Sequence, residues 1–243
     1  MAVMLVTGAS AGIGRAVAEM ALAEGWQVAC LARRAAPLQE IAAMGAGLAL
    51  PCDVTSEEQV SDAFAQTVGA FGRIDVLFNN AGMFPRGALP DEVSLAEWQQ
   101  VVDVNLTGMF LCARAAFAQM RAQDPQGGRI INNGSIAAQV PRPRSLAYSV
   151  TKHAITGLTK QLALDGRGFG IAAGQIDIGN ARTDLAAQME KGVPQADGSI
   201  RPEPMMDARE AARAVLHMAS LPPGANVLQM TVMATEMPFV GRG

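Results

Sequence analysis

A chain of 243 residues, half of them hydrophobic, is long enough for one large α/β unit with a buried core and too apolar for disorder. Its net charge of −3 and its lack of any Lys/Arg run argue against a nucleic-acid partner. Cys30, Cys52 and Cys112 are scattered, and with only His153 and His217 beside them they fit neither a disulfide framework nor a metal site, so no metal is expected. No apolar run approaches a membrane span, and "MAVMLVTG" enters a strand and a glycine turn at once, without the form of a signal peptide. A cytoplasmic protein that binds no membrane is the expectation.

Strands and helices alternate along the whole length. Val3–Thr7 reads as a short buried strand, and "GRAVAEMALAEG" as a helix that Gly25 can terminate. Residues 27–32 and 48–52 read as the second and third strands. Ser56 and Gln59 have capping-box spacing before the next helix, and "RIDVLFNN" is an apolar strand after it. A long helix is predicted from Ser94, boxed with Glu97, towards Arg121, followed by the strand "GGRIINNGS". A helix carrying Tyr148 runs to about Gly166, and "GIAAGQIDIG" is a sixth strand. Asp207 and Glu210 again have box spacing, opening a helix that ends near Ser220, and "NVLQMTVM" is the last strand.

Such alternation implies a doubly wound α/β fold of the Rossmann type, about seven parallel strands with helices on both faces. Residues 1–243 read as a single dinucleotide-binding and catalytic domain. "EKGVPQADGSIRPEPMMD" is the one long stretch rich in Pro, Gly and charge, a flap over the site or a plain surface loop.

Ligands of such sheets bind beyond the carboxyl ends of the strands. After the first strand comes "TGASAGIG", whose glycines permit a tight turn and the approach of a phosphate to backbone N–H groups. Arg33 and Arg34 follow the second strand, Asp53 the third, Asn79-Asn80-Ala81-Gly82 the fourth and Ser135 the fifth. Tyr148, the only tyrosine, stands four residues before Lys152, a spacing that stacks both on one helix face. By itself that pair reads as a packed ring beside a solvated charge. Its place at the same sheet edge as the other polar residues changes the reading.

Thr7-Gly8-X3-Gly12-X-Gly14, Asn79-Asn80-Ala81-Gly82, Asn105, Ser135 and Tyr148-X3-Lys152, with thirteen positions from Ser135 to Tyr148, resemble the short-chain dehydrogenase/reductase family in order and spacing over nearly the whole chain. The resemblance implies hydride transfer between a nicotinamide dinucleotide and a carbonyl or secondary alcohol of a small molecule, including the 3-oxoacyl type. It assigns Tyr148 as acid/base, Ser135 to the substrate oxygen, Lys152 to the ribose hydroxyls, and Asn105 to a proton relay. Asn105 also reads as a plain helix interruption. A phenol has an ordinary pKa near ~10, and a neighbouring ammonium is expected to lower it.

For the cofactor, the resemblance places Gly8, Ile13 and Gly14 at the pyrophosphate, Ser10 at a phosphate or ribose, Asp53 and Val54 at the adenine, and Asn79, Ala81 and Gly82 at the adenine ribose. Tyr148, Lys152 and Thr183 fall at the nicotinamide end. Asp53 has a second reading, as a cap for the helix near Ser56. The second strand ends at Ala32 without a carboxylate, and two guanidiniums follow, so NADP is expected over NAD. Ala11 stands where the family often has a further basic residue, and Ile178-Gly179 replaces its usual Pro-Gly. Family members pack the helices from Ser94 and Tyr148 against a symmetry mate, which implies a homodimer or homotetramer. Arg142 and Arg144 are candidates for an acidic substrate group, although loop arginines more often face solvent or a neighbouring subunit. An idle dinucleotide sensor on the same fold is the alternative, against which the intact Ser/Tyr/Lys/Asn set speaks. A methyltransferase would share the glycine turn without Tyr148-X3-Lys152.

Overall fold

β1 (Val3–Thr7) is buried at all five positions, as a strand covered on both faces must be. The computed structural model describes residues 1–183, 192–195 and 197–240. From β1 the chain continues through α1 (Gly12–Ala23), β2 (Gln27–Ala32), α2 (Ala35–Ala42), β3 (Gly47–Pro51), α3 (Glu57–Phe71) and β4 (Val76–Asn79). It then passes through α4 (Leu95–Val102), α5 (Gly108–Ala122), β5 (Gly128–Asn133), α6 (Leu146–Gly166), β6 (Ile171–Ile178), α7 (Ala208–Ala219) and β7 (Gln229–Val232). The seven strands form one sheet in the order β7-β6-β5-β4-β1-β2-β3, every pairing parallel. The order reverses between β1 and β4, and a crevice opens there beyond the strand ends.

Two apolar layers sandwich the sheet. One holds Val17, Ala21, Leu38, Ile41, Val215 and Leu216 from α1, α2 and α7. The other holds Val60, Phe64, Leu111, Cys112 and Met120 from α3 and α5. All three thiols are buried and free, and burial pushes Cys30 up to about 12 and Cys52 up to about 11. They are inert packing groups.

The expected caps form to different degrees. Ser94 and Glu97 close a full reciprocal box at α4. Ser56 accepts from the Gln59 N–H, but the Gln59 side chain turns to the Asp53 N–H instead. Asp207 accepts from the Arg209 N–H, and Glu210 pairs with Arg213. Helix α2 carries no side-chain cap at Arg34, so its start has no sequence signal.

Two expectations need correction. The helix from Ser94 is not continuous: a π-helical turn over Asp103–Thr107 separates α4 from α5. The stretch Leu95–Ala122 is also long and apolar enough, by length and composition, to cross a bilayer. Its apolar residues Val101, Met109, Leu111, Ala113 and Met120 are buried within the fold. Sheet-facing helices acquire that composition because packing demands it.

Past β6, Ala181–Arg182 pairs in parallel with Met206–Asp207, and Val193–Pro194 pairs antiparallel with Ile200–Arg201. Residues 184–191 and 196, which include Glu190, Lys191 and Ala196 of the stretch read as a flap, lie outside the described residues.

Candidate active site

The site is built around the reversal of strand order. Thr7, the last residue of β1, accepts the backbone N–H groups of Asn80 (2.8 Å) and Ala81 (2.9 Å) on its Oγ1. Asn80 returns a bond from Nδ2 to the Thr7 carbonyl and accepts from Asn133 Nδ2 at the end of β5. Three strand ends are thus tied into one rim. Gly8 has φ +67°, and a Cβ on Gly14 would lie 2.4 Å from the Gly8 carbonyl oxygen, so this turn admits no side chain there. Thr183 reaches the same turn, its Cγ2 lying 3.1 Å from where a Gly12 Cβ would be. The path after Ile178-Gly179 therefore brings Thr183 back beside the glycine turn.

Arg33 and Arg34 are exposed just beyond β2. Arg34 Nη2 donates to Ser10 Oγ (3.3 Å), joining two residues picked from sequence. Asp53 accepts from the Thr55 backbone and hydroxyl, which, with the Arg33 charge nearby, hold its carboxyl below the usual range. Its side chain makes that turn, while Ser56 caps α3. Val54 is buried against the position a Gly108 Cβ would take. The Asn79 side chain is spent inside, on the Met109 carbonyl and on Asn132. Ile13 and Ala81 are half-buried on the rim, and Gly82 is exposed.

Ser135, Tyr148 and Lys152 converge across β5 and α6, and all three are buried. The Ser135 hydroxyl accepts from the Ala137 N–H (3.1 Å) and lies near enough to Tyr148 to act on its phenol. Lys152 Nζ donates to the Asn133 carbonyl (2.7 Å) and lies 5.5 Å from the Tyr148 ring centroid. Burial pushes the phenol up to about 12; the Ser135 hydroxyl and the Arg142 charge pull it back, and Asp177 adds to the rise. The expected lowering by Lys152 does not prevail, because its ammonium is turned to a carbonyl and the ring is desolvated. Burial also pushes Lys152 down to about 8, against the pull of Asp177.

Asn105, fully buried in the π-helical turn, pairs with the Met83 backbone in both directions, accepting at 2.7 Å and donating at 2.9 Å. The helix interruption and the site residue are thus one feature. The next residue, Phe84, stacks on Tyr148 with centroids 4.1 Å apart and 21° between planes.

The sequence reading missed a second polar cluster. The buried Asp177 accepts from the Ser135 N–H and Gln175 on one oxygen, and from Gln139 and Gln229 on the other. It fixes the turn that presents the Ser135 hydroxyl. Beside it, Arg142 Nη2 meets Glu203 (2.7 Å) and Asn180 (2.8 Å), and Asn180 also donates to Glu203 (2.7 Å). Arg142 is therefore largely held by Glu203 and Asn180 at the border of a cavity it shares with Ser145, Ser149 and His153, whereas Arg144 is exposed. No group of His, Cys, Asp and Glu among the described residues suits a metal ion.

Comparison with known proteins places the chain in a family. Residues 2–194 match the short chain dehydrogenase family. The chain belongs to the short-chain dehydrogenase/reductase family. It is 39% identical to the 3beta-hydroxysteroid dehydrogenase of Mediterraneibacter gnavus, over 75% of this chain and 67% of that one. It is 35% identical to the 2,5-dichloro-2,5-cyclohexadiene-1,4-diol dehydrogenase of Sphingobium indicum, over 91% and 92% of the two chains. Among solved structures, the 3-ketoacyl-(acyl-carrier-protein) reductase from Brucella melitensis complexed with NADH superposes with TM-score 0.85 at 25% identity, covering 95% of this chain and 96% of that one. This short-chain dehydrogenase/reductase is an oxidoreductase whose family binds a nicotinamide dinucleotide.

Proposed function

We propose that this chain is one catalytic domain that transfers a hydride between NADP(H) and the carbonyl or secondary alcohol of a small molecule. The observation that carries this is the convergence of Ser135, Tyr148 and Lys152 at the point where strand order reverses. The bare turn at Gly8 and Gly14 suits a pyrophosphate, since no Cβ could stand between it and the backbone. Arg33, with Arg34 tied to Ser10, suits a 2′-phosphate. Asp53, Val54, Asn79, Ala81 and Gly82 would border the adenosine, and Thr183 with Lys152 the nicotinamide riboside. The dinucleotide, when bound, supplies or accepts the hydride.

The protein's own groups manage the proton. At neutral pH Tyr148 is a protonated phenol and Lys152 mostly an ammonium, given their pKa values of about 12 and about 8. Tyr148 can then donate to an alkoxide developing on the substrate oxygen. The Ser135 hydroxyl, held by Ala137 and Asp177, offers that oxygen a second donor. Lys152 sustains the positive potential, and Asn105 keeps the loop bearing Phe84 in place.

The activities for which relatives are named, on a hydroxysteroid, a cyclohexadiene diol and a 3-ketoacyl-(acyl-carrier-protein), support a carbonyl/alcohol substrate in general. Leu95, Phe110, Val150 and Leu164 are exposed on α4, α5 and α6, which supports a homodimer or homotetramer formed through those helices. Light scattering should give a multiple of the 25.3 kDa chain.

The test of function is turnover of a panel of ketones, aldehydes, quinones and β-ketoacyl thioesters with each reduced cofactor. For cofactor choice, Arg33→Ala should weaken NADPH binding by roughly ten- to a hundredfold, the worth of one charged hydrogen bond, and spare NADH. Tight cofactor binding without any turnover would favour the idle sensor. A wild type that prefers NADH would overturn the NADP reading.

A further inference from the structure

Arg142 is held where a substrate, rather than the protein, should complete its bonding. Its side chain is 15% exposed and that of its partner Glu203 is 1% exposed. Nη2 meets Glu203 and Asn180, while Nη1 is buried and has no hydrogen-bond partner among the described residues. A guanidinium N–H left unsatisfied in the interior is costly, and native folds rarely leave one without a reason. The carboxylate and amide fix the plane of the guanidinium, so the orphaned edge has a set direction rather than free rotation. The same guanidinium is near enough to Tyr148 for its charge to act on the phenol. An acceptor for Nη1 would therefore lie close to the atom that Tyr148 protonates.

We propose that Arg142 anchors a second, neutral oxygen of the substrate beside the reacting carbonyl, making the substrate a hydroxyketone or other dioxygenated compound. This rests on the hydride-transfer reading above. Neutrality follows from the charges around the site. Among the described residues, Lys152 and Arg142 are the cations held there and Asp177 and Glu203 the anions, and Arg142 already has Glu203 as a counter-ion. A substrate carboxylate would leave one buried negative charge in excess. A hydroxyl or carbonyl oxygen takes the orphaned N–H and adds no charge.

The test compares kcat/KM for cyclohexanone, 2-hydroxycyclohexanone, 4-hydroxycyclohexanone and 4-oxocyclohexanecarboxylate, whose rings hold the second oxygen rigidly. Wild type should favour one of the hydroxyketones over cyclohexanone by roughly ten- to a hundredfold, the worth of one charge-assisted hydrogen bond, mainly through KM. Arg142→Lys keeps a cation beside Glu203 but lacks the second N–H edge, and should bring that ratio close to one. The double variant Arg142→Met/Glu203→Gln removes the ion pair as a unit, so that no lone charge is left buried, and should do the same. A ratio near one in wild type, a ratio unchanged in both variants, or a preference for the carboxylate overturns the proposal. Wild type that reduces other ketones but none of these four also overturns it, and leaves hydride transfer standing. Failure on every carbonyl tested overturns both.

Discussion

Around Thr7 the polar side chains are fastened to backbone groups, whereas around Asp177 they are fastened largely to other side chains. The Thr7 rim draws on strand ends whose order the fold dictates, and each bond is a side chain closing on the main chain of the next loop. The Asp177 cluster gathers Gln139, Gln175, Gln229 and the Ser135 N–H, with Asn180, Glu203 and Arg142 beside it. The first kind of site tolerates sequence change away from its few anchors. In the second kind, removing one member withdraws a hydrogen-bond partner from several side chains at once.

Tyr148→Phe separates chemistry from both scaffolds and should have the largest effect. Turnover should fall by roughly 10²–10⁴-fold while folding and cofactor binding persist, read by steady-state rates beside a cofactor titration. Comparable activity in the purified variant would remove Tyr148 from its role. Asp177→Ala removes the acceptor of the buried Ser135 and Gln175 N–H groups and of the exposed Gln139 and Gln229 amides, and should cost about 3 kcal/mol of stability. It should also lower kcat, because the Ser135 turn loses its anchor. Unchanged denaturant midpoint and kcat would show that the cluster is not a unit.

Titration offers a reading between these two. Lys152 passes from an ordinary 10.5 to about 8 on folding, so between those values the unfolded chain holds more protons and stability rises with pH. Tyr148 passes from 10 to about 12, so its contribution is complete below pH 10 and is lost as pH climbs through 12. Stability followed by denaturant melts should rise from pH 8 to 10 and then fall, the rise amounting to about 3 kcal/mol at most. Lys152→Met should abolish the rise and Tyr148→Phe should reduce the fall.

Thr7→Val is the smallest change. It keeps the shape but leaves the Asn80 and Ala81 N–H groups without their acceptor, at about 2 kcal/mol, or roughly 4–8 °C in Tm. If it costs more than Asp177→Ala, the contrast between backbone-fastened and side-chain-fastened halves is wrong.

Much of the Thr7 half could be read from the chain. Strand–helix alternation gave the parallel sheet, and the glycine turn, Asn79–Gly82, Ser135, Tyr148 and Lys152 follow their strands in an order the topology converts into one rim. Helix α2 escaped notice because Arg34 caps nothing, and Asn105 offered a helix interruption without showing that it takes the form of a π-helical turn. Asp177 sits in "GQIDIG" like any polar residue near a strand end. Only folding shows that it faces Ser135 across β5 and β6.

The sequence by itself determined the fold class, the sheet edge that carries the site and the residues whose chemistry repeats at fixed spacing, because strand and helix periodicity and glycine turns are local properties. Tertiary structure decided the pKa balance, where burial of Tyr148 outweighs the neighbouring ammonium, and it decided the Arg142–Glu203–Asn180 grouping. Desolvation depends on every element packed around a group, and Arg142, Asn180 and Glu203 are brought together by the loops after β5 and β6 with no spacing in the chain to announce them.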